Sequence, residues 1–150
     1  MRAIVCGANG AMGQLLCTAL GEKLAGKVSL DGANGVAKTF AELGETEADT
    51  VIDFSHHSAI GQVLDYALPR GLSVVIGTTG HTEEEKQRIL EAAKSIPVFF
   101  SGNMSLGIAV LCRLAAQAAS AFPEADIEIV ETHHNRKVDA PSGTALMLFR

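Results

Sequence analysis

The sequence predicts an α/β fold built on a doubly wound parallel sheet. Two observations lead there. Short apolar runs alternate with amphipathic stretches through the first two-thirds of the chain, the rhythm of successive βαβ units. Two of those runs, Val51-Ile52-Asp53-Phe54 and Val74-Val75-Ile76, are almost unbroken in apolar side chains, as strands with helices on both faces must be.

Each element follows from its residues. Ala3–Cys6 reads as a short buried strand, and Ala11–Leu24 as a helix with Leu15, Leu16, Ala19 and Leu20 along one side. Val28–Asp31 is a second, weaker strand. The Gly-interrupted segment after it holds only a short helix, Ala37–Leu43. Strand Thr50–Phe54, helix Ser58–Pro69 capped by Ser55 or Ser58, and strand Ser73–Gly77 come next. Helix Thr82–Ser95 opens on a capping box, Thr82 with Glu85, and strand Val98–Phe100 closes the sheet. A long helix, Leu106–Phe122, precedes Asp126-Ile127-Glu128-Ile129, whose alternation suits a sheet with one wet face.

The change of pattern marks two domains, 1–104 and 105–150. The second is the beginning of an α+β unit with a mixed sheet starting near residue 125. One strand and one helix cannot bury a core of their own, so this second domain reads as incomplete.

Composition narrows the function. With a net charge of −5, one Tyr and no Trp, the chain lacks both the basic face and the stacking platform of a nucleic-acid binder. No apolar run is long enough to span a bilayer, and the amino terminus reads as a strand rather than a signal peptide. Three widely spaced cysteines, Cys6, Cys17 and Cys112, suit reduced core thiols in a cytoplasmic protein.

Two segments carry chemistry. Gly7-Ala8-Asn9-Gly10-Ala11-Met12-Gly13 joins a strand to a helix, the setting of a Rossmann-type pyrophosphate turn. A plain tight turn is the other reading. Asp31, at the end of the second strand, can accept hydrogen bonds from an adenosine ribose, or can be a solvent-facing turn residue. Gly77-Thr78-Thr79-Gly80 and Ser101-Gly102-Asn103-Met104 follow later strands, at the rim where doubly wound sheets gather ligands. There Asn103 can bond a carboxamide and Met104 can pack on a nicotinamide ring, unless these are simple connecting loops.

The second segment runs from Glu131 to Ala145. His133 and His134 can exchange protons near neutrality, Lys137 supplies a cation, and Ser142 caps a helix whose Gly143 and Thr144 can help hold a carboxylate. Adjacent histidines rarely share one metal and no third ligand is suitably spaced, so no metal site is expected. His56 and His57 lack such support and read as structural.

With these residues in order, the chain resembles the 4-hydroxy-tetrahydrodipicolinate reductase (dihydrodipicolinate reductase) family of lysine and diaminopimelate biosynthesis. The resemblance rests on Gly7–Gly13, Val51–Ser55, Val75–Gly80, Asn103–Gly107 and, most specifically, Glu131–His134 with Lys137–Ala145. It implies an oxidoreductase that uses NADH or NADPH to reduce (2S,4S)-4-hydroxy-2,3,4,5-tetrahydrodipicolinate to (S)-2,3,4,5-tetrahydrodipicolinate with loss of water. It implies that His133 and Lys137 are catalytic, and that His134, Gly143 and Thr144 bind a small dicarboxylate substrate. Cofactor contacts fall on Gly7, Ala8, Asn9, Gly10, Ala11, Met12, Asp31, Gly77, Thr78, Thr79, Ser101, Gly102, Asn103 and Met104. Ala11 and Gly32 stand where members often carry arginine, which favours NADH over NADPH. The resemblance further implies a homotetramer for a full-length member, with much of the substrate domain beyond Arg150. The alternative functions are a module that binds NAD(P)H without turnover and a structural fragment that needs a complementing chain.

Overall fold

The computed structural model describes residues 1–135 and 140–149. It divides into two compact units, Met1–Ser101 and Gly102–Arg150.

The first unit holds strands β1 (Ala3–Cys6), β2 (Leu24–Val28), β3 (Thr50–Asp53), β4 (Ser73–Ile76) and β5 (Val98–Phe100). They form one parallel sheet in the order β2-β1-β3-β4-β5. Between them lie helices α1 (Ala11–Leu20), α2 (Phe40–Leu43), α3 (Ile60–Ala67) and α4 (Glu83–Ala92). The fold class is therefore the Rossmann-type one expected from the apolar rhythm. Successive side chains of β1 feed opposite faces of the sheet, as the strand period requires. Val5 packs with Ala8, Val36, Leu16, Cys17 and Leu20, under α1. Ile4 and Cys6 join Val51, Val74, Ile60, Val63, Leu64 and Ile89 in the larger core, under α3 and α4. Phe40 of α2 stacks on Tyr66 of α3, ring centroids 4.6 Å apart.

Several boundaries differ from the expected ones. The first helix ends at Leu20, where Gly21 starts a single tight turn, and Leu15 is exposed rather than packed. The second strand is Leu24–Val28, not Val28–Asp31, because Ala3 to Cys6 pair with that earlier stretch. Pairing with a central strand outweighs the weak β preference of Leu24-Ala25-Gly26. Before α3, the cap is the His56 ring, which accepts from the Ser58 N–H, rather than a serine hydroxyl. The capping box of Thr82 and Glu85 forms as expected.

The second unit contains α5 (Leu106–Ala121) and α6 (Gly143–Phe149), which pack together. The expected strand Asp126–Ile129 and the mixed sheet it was to start do not form among the described residues. A strand exists only by pairing, and no described segment of this unit offers it a ladder. Leu106, Val110, Leu111 and Leu114 of α5 stay exposed.

Two glycines fix how β1 enters α1. Gly7 has φ +83°, and a Cβ there would strike the Phe54 carbonyl; a Cβ on Gly13 would strike the carbonyl of Gly7. Gly13→Ala is therefore expected to cost about 2–3 kcal/mol in denaturant unfolding, because the obstacle is backbone that cannot step aside. Gly10→Ala, whose nearest obstacle lies at 3.3 Å, is expected to fold with only a small loss.

Candidate active site

Strand order reverses between β1 and β3, so the crevice beyond their carboxyl ends is the topological switch point of the first unit. Gly7 and Ala8 anchor the turn there, both donating backbone N–H to the Val28 carbonyl. Gly10 is the N-cap of α1 and offers no capping side chain, so the first N–H groups of that helix receive nothing from it. Ala11 and Met12 are exposed beside it.

Asn9 and Asp31 meet across the turn. Asn9 Nδ2 donates to Asp31 Oδ1 at 2.7 Å and to the Ala33 carbonyl at 3.1 Å. Hydrogen bonds from Asn9, then Ser29 and the Ala33 N–H, hold the exposed Asp31 carboxyl below the ordinary carboxylate range. Asp31 is thus an ionised acceptor fixed one turn beyond β2.

Beside β1, the β3 and β4 loops are tied by a polar group that sequence reasoning missed. Asp53 is completely buried and accepts from the Ser55 N–H (3.2 Å), the Ser55 hydroxyl and the Thr78 hydroxyl (2.9 Å). Thr78 Oγ1 also accepts from the Ser55 N–H at 2.9 Å. The Thr78 hydroxyl is therefore committed to the protein, and Thr78 is only 5% exposed. Gly77 is half-buried and Thr79 exposed, which leaves the Thr79 side chain free to reach a ligand. Cys6, beside Asp53, stays a thiol: burial foremost, then the neighbouring Asp53 charge, pushes it up to about 12. An apolar strand with one acidic position was the available signal for Asp53, since a buried carboxylate must find donors.

His56 and His57 are held by contacts within this unit, His56 Nδ1 lying 2.9 Å from the Ser58 hydroxyl. His57 Nδ1 lies 2.9 Å from Glu85 Oε2, and the two rings lie against each other. His81, which no pattern in the sequence marked, is buried with both ring nitrogens unpartnered among the described residues, edge-on to Phe100 at 5.3 Å. Burial lowers its pKa, so it is neutral at pH 7. Ser101, at the end of this unit, is half-buried.

The second unit contains Gly102, Asn103 and Met104 as well as the histidine segment. Asn103 is braced: its Oδ1 accepts from the Ser105 N–H and its Nδ2 donates to Thr144 Oγ1, both at 2.8 Å. One side chain assigned to the cofactor thereby touches one assigned to substrate. Met104 and His134 are exposed, and Gly143 and Thr144 half-buried. Ser142 caps α6 as expected, its hydroxyl accepting from the Ala145 N–H at 3.1 Å. Glu131 supplies the remaining link. Its Oε1 accepts from the Ser142 N–H at 2.8 Å, and its Oε2 lies 3.0 Å from His133 Nε2. Bonds from Ser142, then His133, hold Glu131 down at about 2. Lys137 lies outside the described residues.

Comparison with known proteins matches the chain to a family. The family models "Dihydrodipicolinate reductase, N-terminus" and "Dihydrodipicolinate reductase, C-terminus" match residues 1–104 and 107–150. The chain belongs to the dihydrodipicolinate reductase family. A 4-hydroxy-tetrahydrodipicolinate reductase of Caldanaerobacter subterraneus is 46% identical over 99% of this chain and 61% of its own length. The corresponding protein of Alkaliphilus metalliredigens is 43% identical over the same shares. The chain thus spans about three-fifths of the length of these curated relatives. A solved structure, dipicolinate-bound dihydrodipicolinate reductase from Paenisporosarcina sp. TG-14, is 27% identical with a TM-score of 0.66. It covers 99% of this chain and 63% of its own.

Two outcomes follow for this family member. Thr78→Val strands the buried Asp53 Oδ2 and is expected to cost about 1–3 kcal/mol in denaturant unfolding. For Glu131, a folded pKa near 2 against the ordinary 4.5 means its clamp is complete above pH 4.5 and is lost as pH falls toward 2. Protection of the Ser142 amide from hydrogen exchange is expected to weaken through that window. Equal protection at pH 5 and pH 2 would exclude the clamp.

Proposed function

We propose that the chain carries the cofactor domain and the first part of the substrate domain of a cytoplasmic 4-hydroxy-tetrahydrodipicolinate reductase. Residues 1–104 serve the cofactor and 105–150 begin the unit that holds substrate. The reaction is reduction of (2S,4S)-4-hydroxy-2,3,4,5-tetrahydrodipicolinate to (S)-2,3,4,5-tetrahydrodipicolinate, with loss of water. One conjunction carries this reading: a chain matched along its length to that family holds both the glycine-lined turn of α1 and the His133–Glu131–Ser142 arrangement.

The turn fits a dinucleotide. Gly7 and Gly13 leave no room for side chains, and an uncapped helix start favours the negative charge of a pyrophosphate. Asp31 accepts from the ribose, and the Gly77–Thr79 loop with Ser101–Met104 lines the nicotinamide end. A bound NADH or NADPH supplies the hydride. Ala11 and Gly32 offer no cation to a 2′-phosphate, which favours NADH, although Lys38 lies against Gly32.

Hydride addition to a conjugated imine leaves negative charge on the substrate, and protonation must remove it. His133 gives that proton, and Lys137 adds a second donor. Thr144, oriented by Asn103, joins His134 and Gly143 in binding a dicarboxylate. The solved relative with dipicolinate bound supports a substrate of that class. A homotetramer belongs to the same reading, and the exposed apolar residues of α5 suit burial in an assembly.

A second reading is a cofactor-binding module without turnover, supported by the lack of a second sheet among the described residues. Titrations with NADH and NADPH, followed by nicotinamide fluorescence, should give saturable binding, weakened about tenfold by Asp31→Ala. A turnover assay should then show His133→Ala and Lys137→Ala losing about 10²- to 10⁴-fold while retaining cofactor affinity. Turnover unchanged in both variants would remove the assigned roles. Binding without turnover in the unsubstituted chain would favour the module.

A further inference from the structure

His133 does not stand alone, and its partner has consequences for which nitrogen works. Glu131 lies between the His133 ring and the backbone of Ser142, one carboxylate oxygen committed to each. The two contacts differ in kind. Ser142 N–H can only donate, so Oε1 is the acceptor in that contact. His133 Nε2 can donate or accept, and the carboxylate decides which.

Two donors hold Glu131 ionised far below neutrality, at about 2. An ionised carboxylate is an acceptor only, so the hydrogen in the 3.0 Å contact sits on His133 Nε2. Neutral His133 is therefore the Nε2–H tautomer. Its Nδ1 has no partner among the described residues. A carboxylate bonded to one imidazole nitrogen fixes both the orientation of the ring and the identity of the reactive nitrogen opposite.

We infer that Glu131 is a positioning residue for the proton transfer: it holds Nε2–H of His133 and leaves Nδ1 as the nitrogen that protonates the substrate. This rests on the reading of His133 as the proton donor. In that step the Nδ1–H bond of the imidazolium breaks and a C–H bond forms at the substrate carbanion. Neutral Nε2–H imidazole remains, still bonded to Glu131, and solvent water returns the proton to Nδ1. The ionised carboxylate also compensates the imidazolium charge before transfer, a service that an amide cannot perform.

Glu131→Gln separates positioning from a merely structural role. Its carbonyl oxygen can keep the Ser142 N–H bond, while its amide N–H₂ donates toward Nε2 and forces the opposite tautomer. Imidazole ¹⁵N shifts, with His133 assigned by comparison with His133→Ala, report the tautomer without turnover. The expected result is Nε2–H in the unsubstituted chain and Nδ1–H in Glu131→Gln. Where turnover is measurable, kcat should fall about tenfold or more with KM for substrate little changed. Glu131→Asp should restore the original ¹⁵N pattern at least in part.

Either of two results would overturn the inference: an Nδ1–H tautomer in the unsubstituted chain, or one tautomer shared by it and Glu131→Gln. Should His133→Ala turn over normally, the proton-donor reading itself would fail. If His133→Ala is inactive and Glu131→Gln keeps the original kcat and tautomer, only the positioning role of Glu131 is lost.

Discussion

The close approach of the β1–α1 turn to the loop after β3 is the constraint on which the first unit depends. A carbonyl of Phe54 occupies the place of a Gly7 side chain, and the carbonyl of Gly7 occupies that of Gly13. Three backbone segments therefore touch where strand order reverses. The same turn carries Gly10 at the start of α1 and Asn9, which donates to Asp31. Without it the sheet could still form, but its rim would carry side chains where an anion needs bare backbone.

The rim is stiffened by a buried carboxyl group rather than by apolar packing alone. Asp53 sits at the end of a strand with no access to solvent, so its cost must be met by donors within reach. Ser55 and Thr78 meet it, and in doing so lock the β3 and β4 loops to each other. The consequence is a division of labour between adjacent threonines. Thr78 is consumed by the scaffold, and Thr79 stays exposed.

In the second unit the organising group is again a carboxylate, but an exposed one. Glu131 stays ionised because a helix-start N–H and an imidazole both donate to it. Its Oε2 lies 3.0 Å from Nε2 of His133, two residues away. The small unit has little apolar core, with no buried residue in α5. Hydrogen bonds among Asn103, Thr144, Glu131, His133 and Ser142 give its loops what order they have.

Much of this was legible in the residues themselves. The glycine turn, the capping box at Thr82, the Ser142 cap and the parallel sheet are encoded over a few neighbouring positions, where side-chain type and backbone preference suffice. The histidine segment was legible too, as an unusual density of proton-transfer groups. What the sequence did not contain were choices made by distant partners. Pairing with β1 drew the second strand back to Leu24–Val28, and the absence of a pairing partner left Asp126–Ile129 outside any sheet. Burial turned Thr78 inward, and Glu131 acquired its bond to the Ser142 N–H because the chain returns there. Local propensity is a property of adjacent residues; hydrogen-bond ladders and buried charges are satisfied only by groups that the fold brings from elsewhere.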